Sequence, residues 1–322
     1  MSPVNTGVSL ADVSAAAARI RGAVMRTPLL YSEMLSRQLG CELWFKCENL
    51  QYIGAFKARG ACNAVLQLTD EEARSGVVTH SSGNHAAAVA RAAVMRGIQA
   101  HIVMPHNSAT VKLNAVRALG VTPILCEPNA AAREAMAADV MHRTGATMIH
   151  PYNDLRVISG QGTVALEILE DLPEVDVIVA PVGGGGLLSG TLVASKGIKP
   201  SIHVDAAEPL LANDAARSLK SGQIEQNDRF DTIADGLRTP LGTLTFPIIR
   251  DLVREVVVVS EQAIVEATRT IFRTVRVVTE PSGAVSFAAI QQNPERYRGQ
   301  KVVAVISGGN LDLNILNDAT TS

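Results

Sequence analysis

The chain has 322 residues, which at about 150 residues per domain points to roughly two domains and to a core that needs no metal or disulfide as a staple. Hydrophobic residues make up 47% and charged residues 19%, and 29 basic against 31 acidic side chains leave a net charge of −2. That composition excludes disorder as the main state and nucleic-acid binding through bulk positive charge. Aromatic residues at 3% also exclude a base-stacking platform.

Four cysteines, at 41, 47, 62 and 126, show neither CxxC nor zinc-ligand spacing and read as buried thiols of a reducing compartment. The N-terminus has no basic region followed by an apolar core. The uncharged stretch Val177 to Ser195 contains Pro181 and the glycines 183–186 and 190, a composition incompatible with a lipid-facing helix. The expectation is a soluble, cytoplasmic protein with no membrane or nucleic-acid partner.

In chain order, Ser9 to Val24 reads as an amphipathic helix and Leu43 to Cys47 as a strand. An alanine-rich helix runs from Lys57 to near Leu68. Strands are expected at 76–80, 99–104, 122–126 and 147–150, with helices at 86–96, 109–119 and 130–144 between them. A second series has helix 164–169, strand 175–180, helix 187–196, strand 202–206, helices 263–275 and 283–291, and a buried strand 302–306. Apolar strands alternating with helices predict α/β architecture, with parallel-rich sheets covered on both faces.

Ligands of such sheets sit beyond the carboxyl ends of the strands, and four strand ends carry unusual residues. Gly183, Gly184, Gly185 and Gly186 open a helix, where bare amides cradle an anion such as phosphate. The GxGxxG spacing of dinucleotide folds fails here, although Asp205 ends the next strand, and no P-loop is present. Ser81-Ser82-Gly83-Asn84-His85 reads either as a helix cap or as a second anion site shaped for a carboxylate. Lys57, one of seven lysines, lies among small residues beside Phe56, which could stack on a flat ring; a desolvated lysine is a good Schiff-base amine. Ser307-Gly308-Gly309-Asn310 is either a glycine turn or a hydroxyl offered to a ring nitrogen. The HExxH, GxSxG and EF-hand patterns are absent.

The ordered set GAFKARGA (54–61), THSSGNHAAA (79–88), HPYND and SGQGT (150–163), PVGGGGLLSG (181–190), DAAEP (205–209), TIADGL (232–237), TEPSGA (279–284) and VISGGNLDL (305–313) resembles the fold-type II pyridoxal-phosphate enzymes of the serine/threonine dehydratase and serine racemase group. The resemblance spans most of the chain and is nearest to the serine racemase-like members. It implies a large domain from 1–67 and 154–322 and a small one from 68–153 carrying the Ser-Ser-Gly-Asn-His loop.

The resemblance also implies roles. Lys57 would hold pyridoxal phosphate, Phe56 would pack on its ring, and Gly183 to Gly186 with Leu187 would bind its phosphate. Asn84 would bond the ring hydroxyl oxygen and Ser307 the ring nitrogen. Ser81, Ser82, Asn84 and His85 would take the substrate carboxylate. Lys57 would move the Cα proton on one face and Ser82, alanine in typical threonine dehydratases, on the other. Arg133 would meet a second carboxylate, while Tyr152 stands where members vary. Glu208, Asp214 and the carbonyl of Ala212 match a Mg²⁺ or Ca²⁺ site. The implied activity is dehydration of L-serine and L-threonine to a 2-oxo acid and ammonia, with serine racemisation alongside; the alternative is a 3-hydroxyaspartate ammonia-lyase. A homodimer is expected. The chain ends twelve residues after Asn310, which implies no isoleucine-sensing regulatory domain.

Overall fold

The structure is a computed structural model that describes residues 7–311. Among the described residues ten strands form two sheets. The first strands are β1 (Leu29–Tyr31), β2 (Glu42–Cys47), β3 (Val77–His80), β4 (Ala100–Pro105), β5 (Ile124–Cys126) and β6 (Thr147–Met148). The remainder are β7 (Val177–Pro181), β8 (His203–Pro209), β9 (Glu255–Val259) and β10 (Lys301–Ile306). One sheet has the order β1-β2-β10-β7-β8-β9 and the other β5-β4-β3-β6. Every pairing is parallel except that of β1 with β2.

The helices are α1 (Leu10–Ile20), α2 (Glu33–Leu39), α3 (Lys57–Leu66), α4 (Asp70–Arg74), α5 (Asn84–Arg96), α6 (Thr110–Arg117) and α7 (Ala130–Thr144). After these come α8 (Leu155–Asp171), α9 (Gly186–Ile198), α10 (Asp214–Ser221), α11 (Thr245–Leu252), α12 (Glu261–Thr270), α13 (Pro281–Gln292) and α14 (Pro294–Tyr297). Among the described residues no helix is long and apolar enough to cross a membrane. All four cysteines are free and buried.

Both sheets are covered on two faces, and the period-2 alternation of a strand sends neighbouring residues into different cores. Val177 and Val179 enter one cluster with Phe45 and Phe287. Ile178 and Ala180 enter another with Ile158 and Leu188. In the second sheet Val77, Ile102 and Met104 share a core with the alanines of α5, while Val78 and Val103 face Ala137 and Val140.

The sequence reading missed β1, β9 and the helices α2, α4, α10, α11 and α14, and it placed only 164–169 of α8 in a helix. The Ser159-Gly160-Gln161-Gly162-Thr163 segment, for which no helix was expected, lies inside the 17-residue α8. Its glycines serve close packing instead. A Cβ on Gly190 would stand 2.4 Å from the Ile158 carbonyl oxygen, and one on Gly160 would stand 2.7 Å from the Gly60 Cα. Helices α3, α8 and α9 therefore approach backbone to backbone behind Lys57.

Helix α3 is also held by charge. Arg59, fully buried, donates to both oxygens of Glu48 at 2.8 Å and to those of Glu167 at 2.6 and 2.8 Å. Lys46 Nζ donates to Glu167 at 2.6 Å and to the Thr27 carbonyl at 2.8 Å. Two cations and two carboxylates neutralise one another here, so removing one partner would strand a buried charge.

Candidate active site

The carboxyl ends of β3, β7 and β10 carry the segments singled out in the sequence. The segment before Lys57 is laced to the one after β10. Phe56 N–H donates to the Ser307 carbonyl at 3.0 Å, and Gly309 N–H donates to that of Gly54 at 2.9 Å. Lys57 is the first residue of α3, and its Nζ donates to the Pro151 carbonyl at 2.8 Å. Burial of the amine lowers its pKa to about 8. The ammonium stands 5.1 Å from the Phe56 ring centroid.

After β7 the chain turns at Gly185, whose φ of +90° favours glycine, and enters α9. Gly184 N–H donates to Thr239 Oγ1 at 3.1 Å, and Thr245 Oγ1 donates to the Gly184 carbonyl at 2.8 Å. The amides of Gly185, Gly186 and Leu187 have no acceptor among the described residues. Leu187 itself packs into the core, so only its backbone serves the turn. A Cβ on Gly184 would lie 2.3 Å from the Tyr152 ring. The turn thus has free donors at a helix N-terminus and no room for side chains, which fits a phosphate.

After β3, Ser81 N–H donates to the Val103 carbonyl at 3.0 Å and Gly83 N–H to Ser81 Oγ at 3.2 Å. Gly83 is the N-cap of α5, with no side-chain cap. The helix-cap reading of Ser81 and Ser82 is therefore replaced by an uncapped 13-residue helix. The amides of Ser82, Asn84 and His85 have no acceptor among the described residues. Ser82 is exposed. His85 turns its imidazole away, with Nε2 bonded to the Ile149 carbonyl at 3.0 Å, so the amide is what it offers to the loop.

Asn84 Nδ2 donates to Glu280 Oε1 at 2.7 Å, and Asn310 Nδ2 donates to Asn84 Oδ1 at 2.9 Å and to the Ile53 carbonyl at 2.8 Å. Glu280 is buried, its Oε2 lacks a partner among the described residues, and burial pushes its carboxyl up to about 7. Ser307 is buried at the end of β10, with its hydroxyl 3.4 Å from the Ser282 carbonyl. Lys112 and Asp235 form an ion pair that links α6 to the Asp235–Leu237 turn beside Gly83.

Arg133 lies on α7. Its Nε is buried with no acceptor among the described residues, and its charge helps hold His80 below the ordinary histidine range, after burial. Glu208 and Asp214 are fully buried. Glu208 accepts from the Ala215 and Ala216 amides at 2.8 and 2.9 Å, and Asp214 from Asn227 at 2.7 Å and the Leu241 amide at 3.1 Å. Neither forms an ion pair among the described residues, although no cluster of three or more His, Cys, Asp and Glu able to hold a metal stands among them. Asp205 is spent on Arg254 at 2.7 Å, Arg296 at 3.0 Å and Tyr297 at 3.0 Å, which removes it as a ribose-binding acid.

The sequence reading gave no role to Thr239, His150 or Glu280. Thr239 is one hydroxyl 55 residues from Gly184 in the chain, and no local pattern marks it. His150 and Glu280 stand in HPYND and TEPSGA, segments noted only for their resemblance.

A half-buried lysine with a desolvated amine, together with two helix N-termini entered through Gly83 and Gly185, defines a carbonyl-cofactor site with an anion-binding turn. The chain belongs to the family of pyridoxal-phosphate dependent enzymes, whose profile matches residues 20–308. It is 50% identical over 309 residues to a serine racemase of Arabidopsis thaliana, covering 94% of this chain and 93% of that one. It is 46% identical over 305 residues to a beta-hydroxyaspartate dehydratase of Paracoccus denitrificans, covering 95% and 97%. The structure of maize serine racemase superposes with a TM-score of 0.93 at 46% identity, covering 97% of this chain and 96% of that one. The two-sheet architecture is that of fold-type II enzymes.

Proposed function

We propose that this enzyme eliminates the β-hydroxyl of small hydroxy amino acids, converting L-serine or L-threonine to a 2-oxo acid and ammonia, and racemises serine at the same site. The observation that carries the reading is Lys57, whose amine, brought by desolvation to about pKa 8, docks on the Pro151 carbonyl next to Tyr152, the residue packed on the glycine turn. Bound pyridoxal phosphate would be held by Lys57, by the amides of residues 185–187, by Asn84 and by Ser307, with Phe56 against its ring. The cofactor supplies an electron sink for the pair left when Cα loses its proton.

This chain's residues do the rest. The α5 amides and Ser81 take the substrate carboxylate. Lys57 Nζ would take the Cα proton. The β-hydroxyl would leave with that proton as water, and hydrolysis returns a water as ammonia departs, so serine yields pyruvate and ammonia in balance. Ser82, exposed and unbonded, returns a proton on the opposite face, which inverts Cα.

The second reading, a 3-hydroxyaspartate ammonia-lyase, rests on Arg133, whose unpartnered buried Nε suits an additional carboxylate. A divalent cation, Mg²⁺ or Ca²⁺, on Glu208, Asp214 and the Ala212 carbonyl is part of the proposal: two buried carboxylates without ion pairs fit a hard cation completed by water. So are a homodimer, cytoplasmic residence, and division into 1–67 with 154–322 and 68–153.

The test is a product assay on cofactor-loaded protein with L-serine, L-threonine, D-serine and the 3-hydroxyaspartate isomers. Pyruvate together with D-serine from L-serine supports the first reading. A 2-oxo acid from hydroxyaspartate alone shifts the function to the second. No product from any of them overturns both.

A further inference from the structure

We infer that His150 is a specificity residue whose Nε2–H takes an oxygen of the substituent on the substrate β-carbon, a carboxylate in the first place. The inference rests on the hydroxyaspartate arm of the proposed function and deepens it.

His150 follows β6, and its Nδ1 accepts the Asn153 amide at 2.9 Å and the Tyr152 amide at 3.4 Å. A ring nitrogen that accepts amides carries a lone pair, so the hydrogen of the neutral imidazole sits on Nε2. Nε2 has no acceptor among the described residues. The donor is therefore fixed in identity by the backbone and left unspent among the described residues.

The ring is also fixed in place. It meets His80 edge-on at 5.7 Å and Tyr152 edge-on at 4.7 Å, both at 87°. Tyr152 in turn lies against Gly184, so this aromatic ladder runs from the phosphate turn to the end of β3. Pro151, the next residue, receives the Lys57 amine. The donor thus stands one residue from the point where Lys57 docks.

The surroundings keep it a donor and nothing more. Burial, then the charges of His80 and Lys57, lower its pKa to about 4, against a small opposing effect of Asp154. The ring stays neutral at physiological pH. A neutral imidazole N–H orients and binds an anionic oxygen without delivering a proton to it. Arg133 supplies the charge: it is felt at both His80 and Tyr152. One neutral donor and one cation, both unspent, flank the ladder. A carboxylate uses both, whereas the hydrogen or methyl that serine or threonine carries there uses neither.

The probe is L-malate, a non-reacting dicarboxylate, with L-lactate as its monocarboxylate control, each titrated by calorimetry into cofactor-loaded wild type, His150→Phe and His150→Gln. Phenylalanine keeps an aromatic ring and loses the donor; glutamine keeps a donor. The expected result is that wild type prefers malate. His150→Phe then binds malate about 10- to 100-fold more weakly, the worth of a hydrogen bond to a charged acceptor, with lactate unchanged and His150→Gln close to wild type. Unaltered malate binding in His150→Phe, equal weakening of both acids, a glutamine variant as weak as phenylalanine, or a wild type with no preference overturns the inference. Failure of both variants to retain cofactor would show a purely structural ring and overturn it too. Hydroxyaspartate turnover by wild type is measured separately; its absence removes that arm of the proposed function while a malate preference that depends on His150 still stands.

Discussion

Asn84 and Glu280, 196 residues apart, are joined by a 2.7 Å hydrogen bond in which the Asn84 amide donates to the buried carboxyl. Asn310 takes up the Asn84 oxygen, so the Asn84 amide is oriented with one N–H on Glu280 and the other without an acceptor among the described residues. Burial raises the Glu280 carboxyl from 4.5 to about 7, against the pull of Lys112. A carboxyl with a raised folded pKa stabilises the fold at low pH and loses that contribution as pH climbs from about 4.5 to 7. Glu280→Gln keeps an acceptor for Asn84 and removes the ionisation. Thermal melts of the apo-protein should show the variant equal to wild type at pH 4 and more stable at pH 8, by on the order of 1–3 kcal/mol. Equal melts at both pH values would refute the raised pKa.

Lys57 sets the pH dependence of cofactor uptake. Its folded pKa is lowered from 10.5 to about 8, so about a tenth of the amine is neutral at pH 7, against roughly one part in 3,000 for an ordinary lysine. The rate of reconstitution of apo-protein with pyridoxal phosphate should rise through a midpoint near 8 and then level off. A rise that continues to pH 10 would contradict the desolvation argument. The sign for stability is opposite to that of Glu280: the unfolded chain binds the extra proton between about 8 and 10.5, so apo-protein stability grows with pH across that window. Lys57→Ala should abolish both effects.

Ser82→Ala should suppress racemisation of serine at least about 10-fold while elimination falls by less, since general acid–base help is worth roughly 10²–10⁴ and only one face is lost. Chiral chromatography of serine and a pyruvate assay on the same reaction decide it. Equal survival of both activities would place the second proton carrier elsewhere.

Gly184 separates the cofactor turn from the scaffold. A methyl there meets the Tyr152 ring at 2.3 Å, so Gly184→Ala should weaken pyridoxal-phosphate binding at least about 10-fold with a modest loss of stability. The double variant with Tyr152→Ala should recover part of the binding. Gly190→Ala, against the Ile158 carbonyl at 2.4 Å, should instead destabilise the fold by about 1–3 kcal/mol through overpacking. Cofactor titrations and urea melts of the three variants distinguish the two effects.

Chelation tests the cation proposed at Glu208 and Asp214. A bound ion stabilises the native state in proportion to the logarithm of its concentration over its dissociation constant. Treatment with a chelator should lower the melting temperature, and millimolar Mg²⁺ or Ca²⁺ should restore it. Asp214→Asn should erase the response. An indifferent wild type would leave Glu208 and Asp214 as buried acids satisfied by Ala215, Ala216, Asn227 and Leu241 alone.

Much of this protein is determined locally. Strand alternation, helix closure by glycine and the position of Lys57 at the head of α3 follow from a few neighbouring residues, because rotamer, propensity and capping energies act over one or two turns. The glycine run at 183–186 is legible for the same reason, since four small residues between an apolar strand and a helix have few other uses. Where local rules conflict with packing, tertiary structure decided: Gly160 and Gly162 look like breakers, yet they lie within α8 because only glycine allows the backbones of α3 and α9 to approach. The polar links were not legible at all. Thr239 on Gly184, Glu280 on Asn84, and His150 with its lone pair aimed at Asn153 are hydrogen bonds of strict geometry whose existence depends on where distant strand ends converge. The pKa values of Lys57 and Glu280 likewise arise from the loss of water around them, a property of the folded chain as a whole and of no segment within it.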